Sequence, residues 1–307
     1  MPQFSVIIPC YNSTRWVRRS LDSVFAQTGD DYEVIAVDDG STDDTLSILN
    51  DYGHKLTVLS QANQGAGVAR NLAISHAAGD FIAFLDSDDV WFPWTLATYR
   101  ELIAKYDRPA IIAGKPLRFK EDTELAGVNI TEPIDVRKYP NFYEAARDGF
   151  WFLLNGALLV RRDVFKSCGG FADRKINSED THFFMKFGMM PGFIAVMSPQ
   201  LFGYRLHGAN AIYKTHLNQA GCLYLIGQEK NAVYPGGVAM QDIRRTILTT
   251  HSRSASVACL KAGNFDQAWK LYAQTFRWNI ALGRLKYLAG FPILAAADMA
   301  KGKCPSK

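Results

Sequence analysis

The sequence predicts an α/β fold with a mostly parallel central sheet flanked by helices, followed by a C-terminal helical region. Short β-branched runs alternate with segments of helical periodicity over the first 90 residues, and acidic or glycine-rich turns follow three of these runs. The chain has 307 residues, of which 48% are hydrophobic and 21% are charged. This composition provides a sizeable core and excludes a disordered or fibrous protein.

Two strand and helix pairs are predicted at the start of the chain. The first strand covers residues 4–9, and a helix capped at Ser13-Thr14 follows it. The second strand covers residues 33–37, and the next helix starts at Ser41. Both strands are almost entirely apolar, which is typical of strands buried on both faces of a parallel sheet.

Two further pairs continue the alternation. A third strand covers residues 56–59, and a glycine-punctuated turn at residues 64–67 leads into a helix. A fourth strand covers residues 81–85 and ends in the acidic segment 86–89. Because ligands of such sheets bind outside the carboxyl ends of the strands, the turns after these strands are the predicted site.

Two acidic clusters fall at these strand ends. Asp38 and Asp39 follow the second strand, and Asp86, Asp88 and Asp89 follow the fourth. Aspartate also favours turns and helix caps, which is the alternative explanation for either cluster alone. Two clusters of like charge at one edge favour a divalent cation bridged to phosphate, since Mg²⁺ and Mn²⁺ keep few protein carboxylates.

Four segments of the chain together resemble one enzyme family. They are SVIIPCYN at 5–12, VDDGSTD at 37–43, NQG at 63–65 with ARN at 69–71, and FLDSDD at 84–89. Their order and spacing resemble the family 2 glycosyltransferases, and the resemblance covers roughly residues 3–210. It implies the GT-A nucleotide-diphospho-sugar transferase fold, and an inverting transfer of a sugar from a nucleotide-sugar donor to an acceptor hydroxyl.

The resemblance also implies roles on the donor side. Asp39 resembles the carboxylate that hydrogen-bonds the base, and uracil presents an N3–H donor to such a group, which favours a UDP-sugar. Arg70 resembles the basic residue near the base and diphosphate, with a surface helix arginine as the alternative. Asp86 resembles the ribose contact. The full set of implied nucleotide contacts is Pro9, Tyr11, Asp38, Asp39, Arg70 and Asp86.

The metal ligands are implied in the same way. Asp88 resembles the metal ligand of the family's Asp-x-Asp motif, with Mn²⁺ or Mg²⁺ as the cofactor. The segment 204–207 resembles the Tyr-Arg-x-His segment of the family, in which a histidine approaches the metal or the diphosphate. His207 is therefore a second predicted metal ligand, because imidazole suits manganese. A structural hydrogen bond from His207 is the alternative.

The acceptor side is predicted in the second half of the chain. The Gly-Gly-Phe turn at residues 169–171 precedes a Glu179-Asp180 pair, and the family pattern places the catalytic base on Asp180. The alternative is an acidic pair that complements a helix dipole. Glu179, Trp91 and Trp151 are acceptor candidates, since aromatic faces stack on sugars. Core packing is the alternative for both tryptophans.

The predicted domain boundary lies near residue 215, where the charge changes sign. Residues 216–307 contain 12 Lys and Arg against 4 Asp and Glu, a net charge of +8, whereas residues 1–215 contain 22 against 26. We expect a GT-A catalytic domain over residues 1–215 and a basic helical region over residues 216–307. Basic and aromatic residues in this region favour contact with an anionic membrane surface, with a solvated basic face as the alternative.

These observations together predict a metal-dependent inverting glycosyltransferase. The expected acceptor is a saccharide or a lipid-linked saccharide in cell-surface polysaccharide or glycolipid synthesis. The alternatives are a nucleotidyltransferase, which would need a lysine-bearing glycine-rich loop after the first strand, and a non-catalytic sugar-nucleotide-binding or scaffold protein. Five dispersed cysteines and the lack of a signal or spanning segment predict a cytoplasmic protein, and the basic region favours a peripheral position on the inner face of the cell membrane. No nucleic-acid-binding signature is present.

Overall fold

The computed structural model describes residues 1–129, 132–150, 154–208, 210 and 214–300. Within it the chain forms two compact units. The first unit contains Met1–Lys175 and Met189–Gly208, and the second contains Ile176–Gly188 and Ala209–Lys307. The segment 176–188 therefore groups with the C-terminal helices rather than with the sheet, and the predicted boundary near residue 215 stays a prediction.

The first unit is built around an eight-stranded mixed sheet and a small three-stranded sheet. The strands are β1 (Phe4–Cys10), β2 (Tyr32–Asp38), β3 (Thr57–Ser60), β4 (Phe81–Phe84), β5 (Val90–Trp91), β6 (Ile111–Gly114), β7 (Pro116–Phe119), β8 (Asp135–Tyr139), β9 (Leu158–Arg161), β10 (Phe193–Ser198) and β11 (Phe202–Arg205). The large sheet has the order β3-β2-β1-β4-β9-β6-β10-β8, and the small sheet has the order β5-β11-β7.

The predicted parallel arrangement is confirmed for the first four strands. β1 pairs in parallel with β2 and β4, and β2 pairs in parallel with β3. β9 departs from that pattern, because it runs antiparallel to both β4 and β6. All seven residues of β1 are buried, as expected for a central strand covered on both faces.

Among the described residues, the first unit contains six α-helices: α1 (Val17–Phe25), α2 (Thr45–Asn50), α3 (Ala66–His76), α4 (Thr95–Lys105), α5 (Phe142–Arg147) and α6 (Asp163–Cys168). Two helices start later than the sequence predicted. The Ser13 hydroxyl does not cap α1, because it is hydrogen-bonded to the Ser87 hydroxyl at 2.6 Å. The Ser41 hydroxyl likewise accepts a hydrogen bond from the backbone N–H of Asn12, at 3.0 Å, before α2 begins.

The second unit is helical, as predicted for the C-terminal region. Its helices are α7 (Glu179–Lys186), α8 (Thr215–Lys230), α9 (Gln241–Lys261), α10 (Phe265–Ala281) and α11 (Leu285–Ala300). Tyr272 stacks on Phe291 with ring centroids 4.6 Å apart, in a small core between α9, α10 and α11. Within the described part of the chain, no helix is both long and apolar enough to cross a bilayer.

Candidate active site

The candidate site lies where parallel strands of the first unit end. β1, β2 and β4 run in the same direction, so the loops that follow them meet at one edge of the sheet. Hydrogen bonds join these loops directly. The Asn12 side-chain oxygen accepts from the Thr42 backbone N–H at 2.8 Å, and the Ser13 and Ser87 hydroxyls join the first loop to the third. The edge is therefore held together before any ligand binds.

Asp39 organises the loop that precedes α3. Its carboxylate is buried and accepts hydrogen bonds from the Gln61 side chain at 2.7 Å and from the backbone N–H groups of Gln64 and Gly65 at 2.9 and 2.8 Å. Gly65 has φ of +94°, a conformation that glycine adopts without strain. A carboxylate offers about four acceptor positions, so three of those on Asp39 are already occupied.

Arg70 and Asp86 form an ion pair in the site. The Arg70 guanidinium lies 2.6 Å from the Asp86 carboxylate and 5.2 Å from the centre of the Phe171 ring. The Arg70 side chain is only 3% exposed, whereas that of Asp86 is 33% exposed. Arg70 is thus a buried cation facing the acidic edge, and the alternative of a surface helix arginine does not hold.

Asp88 and His207 converge from distant parts of the chain. The Nε2 atom of His207 lies 2.8 Å from the Asp88 carboxylate, and both side chains retain some exposure to solvent. The His207 ring stacks on Trp16 with ring centroids 4.0 Å apart. The two predicted metal ligands are therefore neighbours, and an aromatic ring fixes the plane of the imidazole.

Asp89 is buried behind this pair. Its carboxylate accepts a hydrogen bond from the Arg205 backbone N–H at 2.9 Å, and the Arg205 guanidinium donates to the Asp88 carbonyl at 2.9 Å. Burial, followed by repulsion from Asp88 and Asp86, raises the pKa of the Asp89 carboxyl well above its ordinary value. Three carboxylates thus crowd one turn, which is a setting that a cation would stabilise.

The donor set fits a cation that shares its coordination with a ligand. Among the described residues, no group of three or more His, Cys, Asp or Glu side chains is arranged to hold a metal ion. Asp88 and His207 therefore offer two protein ligands, one oxygen and one nitrogen. Mg²⁺ and Mn²⁺ commonly bind through one or two protein groups and complete their shell with phosphate oxygens and water.

The remaining predicted donor contacts occupy different environments. Pro9 is buried within β1, whereas the Tyr11 side chain is 42% exposed and lies under the ammonium group of Lys175 at 5.8 Å from its ring centre. Asp38 is buried and accepts from the backbone N–H of Ser41 at 3.3 Å. Tyr11 is therefore the residue of this group whose ring is open to a ligand.

The two tryptophans proposed for the acceptor side have different outcomes. Trp91 is 3% exposed, and its indole N–H donates to the Gly156 carbonyl at 2.8 Å. This places Trp91 in the core and argues against contact with a sugar, because both its ring and its N–H are already used. Trp151 lies outside the described residues.

The Gly-Gly-Phe turn closes over α3. The Asn71 side-chain oxygen accepts from the Phe171 backbone N–H at 2.8 Å, and its amide donates to the Phe171 carbonyl at 3.1 Å. A side chain at Gly170 would overlap the Asn71 side-chain oxygen and would therefore displace the amide that makes these two hydrogen bonds. The turn thereby places Phe171 against Arg70.

The predicted base belongs to the second unit. Glu179 and Asp180 form the first turn of α7, and the Asp180 carboxylate accepts from the Thr181 backbone N–H at 2.6 Å. The Thr181 hydroxyl lies 3.3 Å from the same carboxylate and 3.4 Å from the Nε2 atom of His251. The acidic pair also complements the positive end of the α7 dipole, so both interpretations of the pair agree with its place in the helix.

Sequence reasoning missed three residues that shape the site. Trp16 orients His207, Arg205 fixes Asp88 and Asp89, and Lys175 lies over Tyr11. Arg205 lies within the segment 204–207 that resembles the family pattern, which is the signal that points to it. Trp16 and Lys175 carried no signal, because their roles depend on contacts that only the fold creates.

Comparison with known proteins supports membership of a glycosyltransferase family. The model of "Glycosyl transferase family 2" matches residues 5–169, more than half of the chain. An uncharacterized glycosyltransferase of Nostoc sp. is 28% identical over 244 residues, which cover 78% of this chain and 73% of the relative. The succinoglycan biosynthesis protein ExoW of Rhizobium meliloti is 30% identical over 201 residues, which cover 60% of this chain and 63% of ExoW.

Solved structures share the fold. TarS 1–349 of S. aureus, in complex with UDP-GlcNAc, has a TM-score of 0.67 at 21% identity and covers 99% of this chain and 93% of its own. The mannosyltransferase PcManGT of Pyrobaculum calidifontis, in complex with GDP-Man and Mn²⁺, has a TM-score of 0.56 at 21% identity and covers 96% and 86%. The sequence match and the shared GT-A fold together show that the chain belongs to glycosyl transferase family 2 and is a glycosyltransferase.

Proposed function

We propose that this protein is a metal-dependent, inverting glycosyltransferase that uses a UDP-sugar as its donor. The observation that carries this proposal is the convergence of Asp88 and His207, 2.8 Å apart, at the strand edge where the family binds its donor. The ion pair of buried Arg70 and partly exposed Asp86 lies at the same edge and supplies a cation and a carboxylate to that surface.

The donor nucleotide is held by the loops that follow β1, β2 and β4. Tyr11 presents its exposed ring to the base, and Asp39, whose carboxylate has one acceptor position left, is the proposed partner of a base N–H. Uracil carries such an N–H, and the complex of TarS with UDP-GlcNAc supports a uridine donor. The complex of PcManGT with GDP-Man makes a guanosine donor the alternative, which the experiment below tests.

Asp88 and His207 would hold a divalent cation together with the diphosphate of the donor. When bound, Mg²⁺ or Mn²⁺ neutralises the charge that develops on the departing nucleoside diphosphate. Neighbouring residues orient both proposed ligands, since Trp16 fixes the plane of the His207 ring and Arg205 holds the main chain of Asp88.

Asp180 is the proposed general base of the transfer. It takes the proton from the acceptor hydroxyl while that oxygen forms a bond to the anomeric carbon. The bond from the anomeric carbon to the phosphate oxygen breaks, and the nucleoside diphosphate leaves with the electron pair. Attack from the face opposite the leaving group inverts the configuration. Glu179 is a candidate contact for the acceptor.

The acceptor is proposed to be a saccharide or a lipid-linked saccharide used in cell-surface polysaccharide or glycolipid synthesis. The name of ExoW, a succinoglycan biosynthesis protein, supports polysaccharide synthesis over glycolipid synthesis. Contact with the inner membrane surface would suit a lipid-linked acceptor. α10 supports such contact, because Trp269, Phe276 and Ile280 are exposed beside the cations Lys270 and Arg277.

The experiment is a donor panel with matched variants. Release of nucleoside diphosphate from UDP-, GDP- and dTDP-sugars is measured with Mn²⁺, with Mg²⁺ and with EDTA. We expect slow hydrolysis of one UDP-sugar that requires metal, a loss of metal-dependent donor binding in Asp88→Ala, and a rate about 10²- to 10⁴-fold lower in Asp180→Asn with donor binding intact.

The control for both variants is Asp30→Asn, an exposed aspartate in the loop before β2. It removes the same charge and should leave turnover at the level of the wild type. Turnover that persists in EDTA would refute the metal requirement. Preference for a GDP-sugar would refute the uridine donor, and full activity of Asp180→Asn would refute the assignment of Asp180 as the general base.

A further inference from the structure

A second pocket lies in the helical unit, and none of the donor-site residues line it. The cavity is about 610 Å³ and is formed by the end of α8, the loop over residues 231–240, the start of α9 and Trp278 of α10. Its charged lining consists of Lys230, Arg244, Arg245 and Glu229. Three cations therefore face a single carboxylate.

One ion pair builds the wall of this pocket. Arg244 and Glu229 lie 2.7 Å apart, and their side chains are 5% and 2% exposed. Arg244 also donates to the carbonyls of Pro235 and Gly237, both at 2.9 Å. Arg244 thus neutralises Glu229 and fixes the loop that closes the pocket, which leaves two cations with charge to offer a ligand.

Arg245 is the cation best placed for a ligand. Its guanidinium packs 5.1 Å from the centre of the Trp278 ring, and its side chain is 27% exposed. Its Nε atom is buried and has no hydrogen-bond partner among the described residues, and the nearest Glu229 oxygen is 3.8 Å away. Such a group gains from a ligand oxygen, because a buried donor without a partner destabilises the protein.

The pocket is also connected to the helix that carries the proposed base. The Tyr234 hydroxyl, in the pocket wall, is hydrogen-bonded to Nδ1 of His182 at 3.0 Å, and both residues are buried. His182 lies on α7, two residues after Asp180. The pocket and the proposed base therefore belong to one packed assembly of side chains.

We propose that this pocket binds an anionic group, a phosphate or a carboxylate, carried by the acceptor saccharide. The net charge of its lining matches an anion, and the planar guanidinium of Arg245 suits two oxygens of such a group. Lys230 adds a second positive charge at the rim. The identity of the ligand as an acceptor saccharide rests on the proposed function. The anion site itself rests only on contacts within the second unit.

The test is calorimetric titration of the full chain with glucose 6-phosphate, glucuronic acid and uncharged glucose. Wild type should bind both anionic sugars and not glucose, and Arg245→Gln should bind them at least about tenfold more weakly, as expected from the loss of a charge-assisted hydrogen bond. Arg137→Gln is the matched control, since Arg137 is an exposed, ion-paired arginine of β8 outside the pocket lining. Arg245→Lys should fall between Arg245→Gln and wild type.

Equal affinity of wild type and Arg245→Gln, or equal binding of glucose, would overturn the proposal. Vesicles of phosphatidylcholine with phosphatidylglycerol form the second arm. Vesicle binding that requires Arg245, without binding of the soluble sugars, would identify a lipid headgroup and overturn the saccharide assignment. A nucleotide-sugar titration separates the two proposals: wild type that binds anionic sugars through Arg245 and binds no donor would refute the proposed function and leave the anion site standing.

Discussion

At the scale of single residues, the acidic side chains of the candidate site divide into two kinds. Asp39 and Asp89 are buried and use their oxygens to hold backbone N–H groups of other segments, the loop before α3 and the end of β11. Asp86 and Asp88 keep part of their surface open, and their partners are the side chains of Arg70 and His207. The buried aspartates shape the edge of the sheet, and the partly exposed aspartates are the ones proposed to face the donor.

This division makes a prediction for Asp39→Asn. An amide at this position keeps one acceptor oxygen and points its NH₂ group at a backbone N–H, either that of Gly65 or that of Gln64. We expect the free energy of unfolding to fall by about 2 kcal/mol, as for a buried donor without a partner, and donor binding to weaken. Urea denaturation and nucleotide-sugar titration measure the two effects.

The matched control is Asp38→Asn on the neighbouring residue. The Asp38 carboxylate accepts from the Ser41 N–H at 3.3 and 3.4 Å, so its hydrogen bonds are longer than those of Asp39. We expect a smaller loss of stability. If the two variants lost the same stability, Asp39 would have no special role in the loop before α3.

At the scale of secondary-structure elements, some features were predictable and others were not. The presence and parallel direction of the first four strands follow from alternating apolar runs and helical segments, which are local patterns, whereas their order in the sheet comes from the structure. The antiparallel insertion of β9 between β4 and β6 has no local signal, because it depends on pairing across long separations. The contact between Arg205 and Asp89 joins residues 116 positions apart, and no motif in the sequence records it.

Helix α9 carries a prediction about pH. Burial lowers the pKa of the His251 imidazole from 6.5 to about 4, so the folded state holds this ring neutral. In the unfolded chain the ring binds a proton below about pH 6.5, which favours unfolding. The contribution of neutral His251 to the free energy of unfolding is therefore complete above pH 6.5. It is lost as the pH falls toward 4, and the loss is about 3 kcal/mol at most.

His251→Gln removes the titrating group and keeps a side chain that hydrogen-bonds. We expect the difference in free energy of unfolding between wild type and this variant to change between pH 6.5 and 4 and to stay constant above pH 7. Urea denaturation across that range measures it. His54→Gln is the control, since it makes the same substitution at an exposed histidine outside the helical unit. Parallel curves for wild type and His251→Gln would contradict the argument.

At the scale of the whole molecule, charge and exposed apolar surface coincide in the C-terminal region. Residues 216–307 carry a net charge of +8, and α10 exposes Trp269, Phe276 and Ile280. The charge was readable from composition, whereas the exposure was not, because the same helix buries Tyr272 in the small core. Removing the region would therefore disrupt packing, and substitution of exposed cations is the cleaner test.

We predict that Lys270→Glu, Arg277→Glu and Lys286→Glu together weaken binding to vesicles that contain phosphatidylglycerol. All three side chains are exposed. At about 1 kcal/mol for each cation near an anionic surface, removing three cations should reduce vesicle affinity roughly a hundredfold, and the added carboxylates act in the same direction. Flotation with increasing salt measures this effect, and binding of the wild type should also fall as salt rises.

The matched control places the same substitutions on the first unit, at the exposed residues Lys55, Lys105 and Lys120. This control changes the net charge equally. If the membrane site is confined to the C-terminal helices, the control variant should bind vesicles nearly as well as wild type. Equal losses in both variants would mean that only the total charge of the protein matters. Loss in neither variant would leave the apolar face of α10 without a lipid role, and the lipid-linked acceptor would lose its structural support.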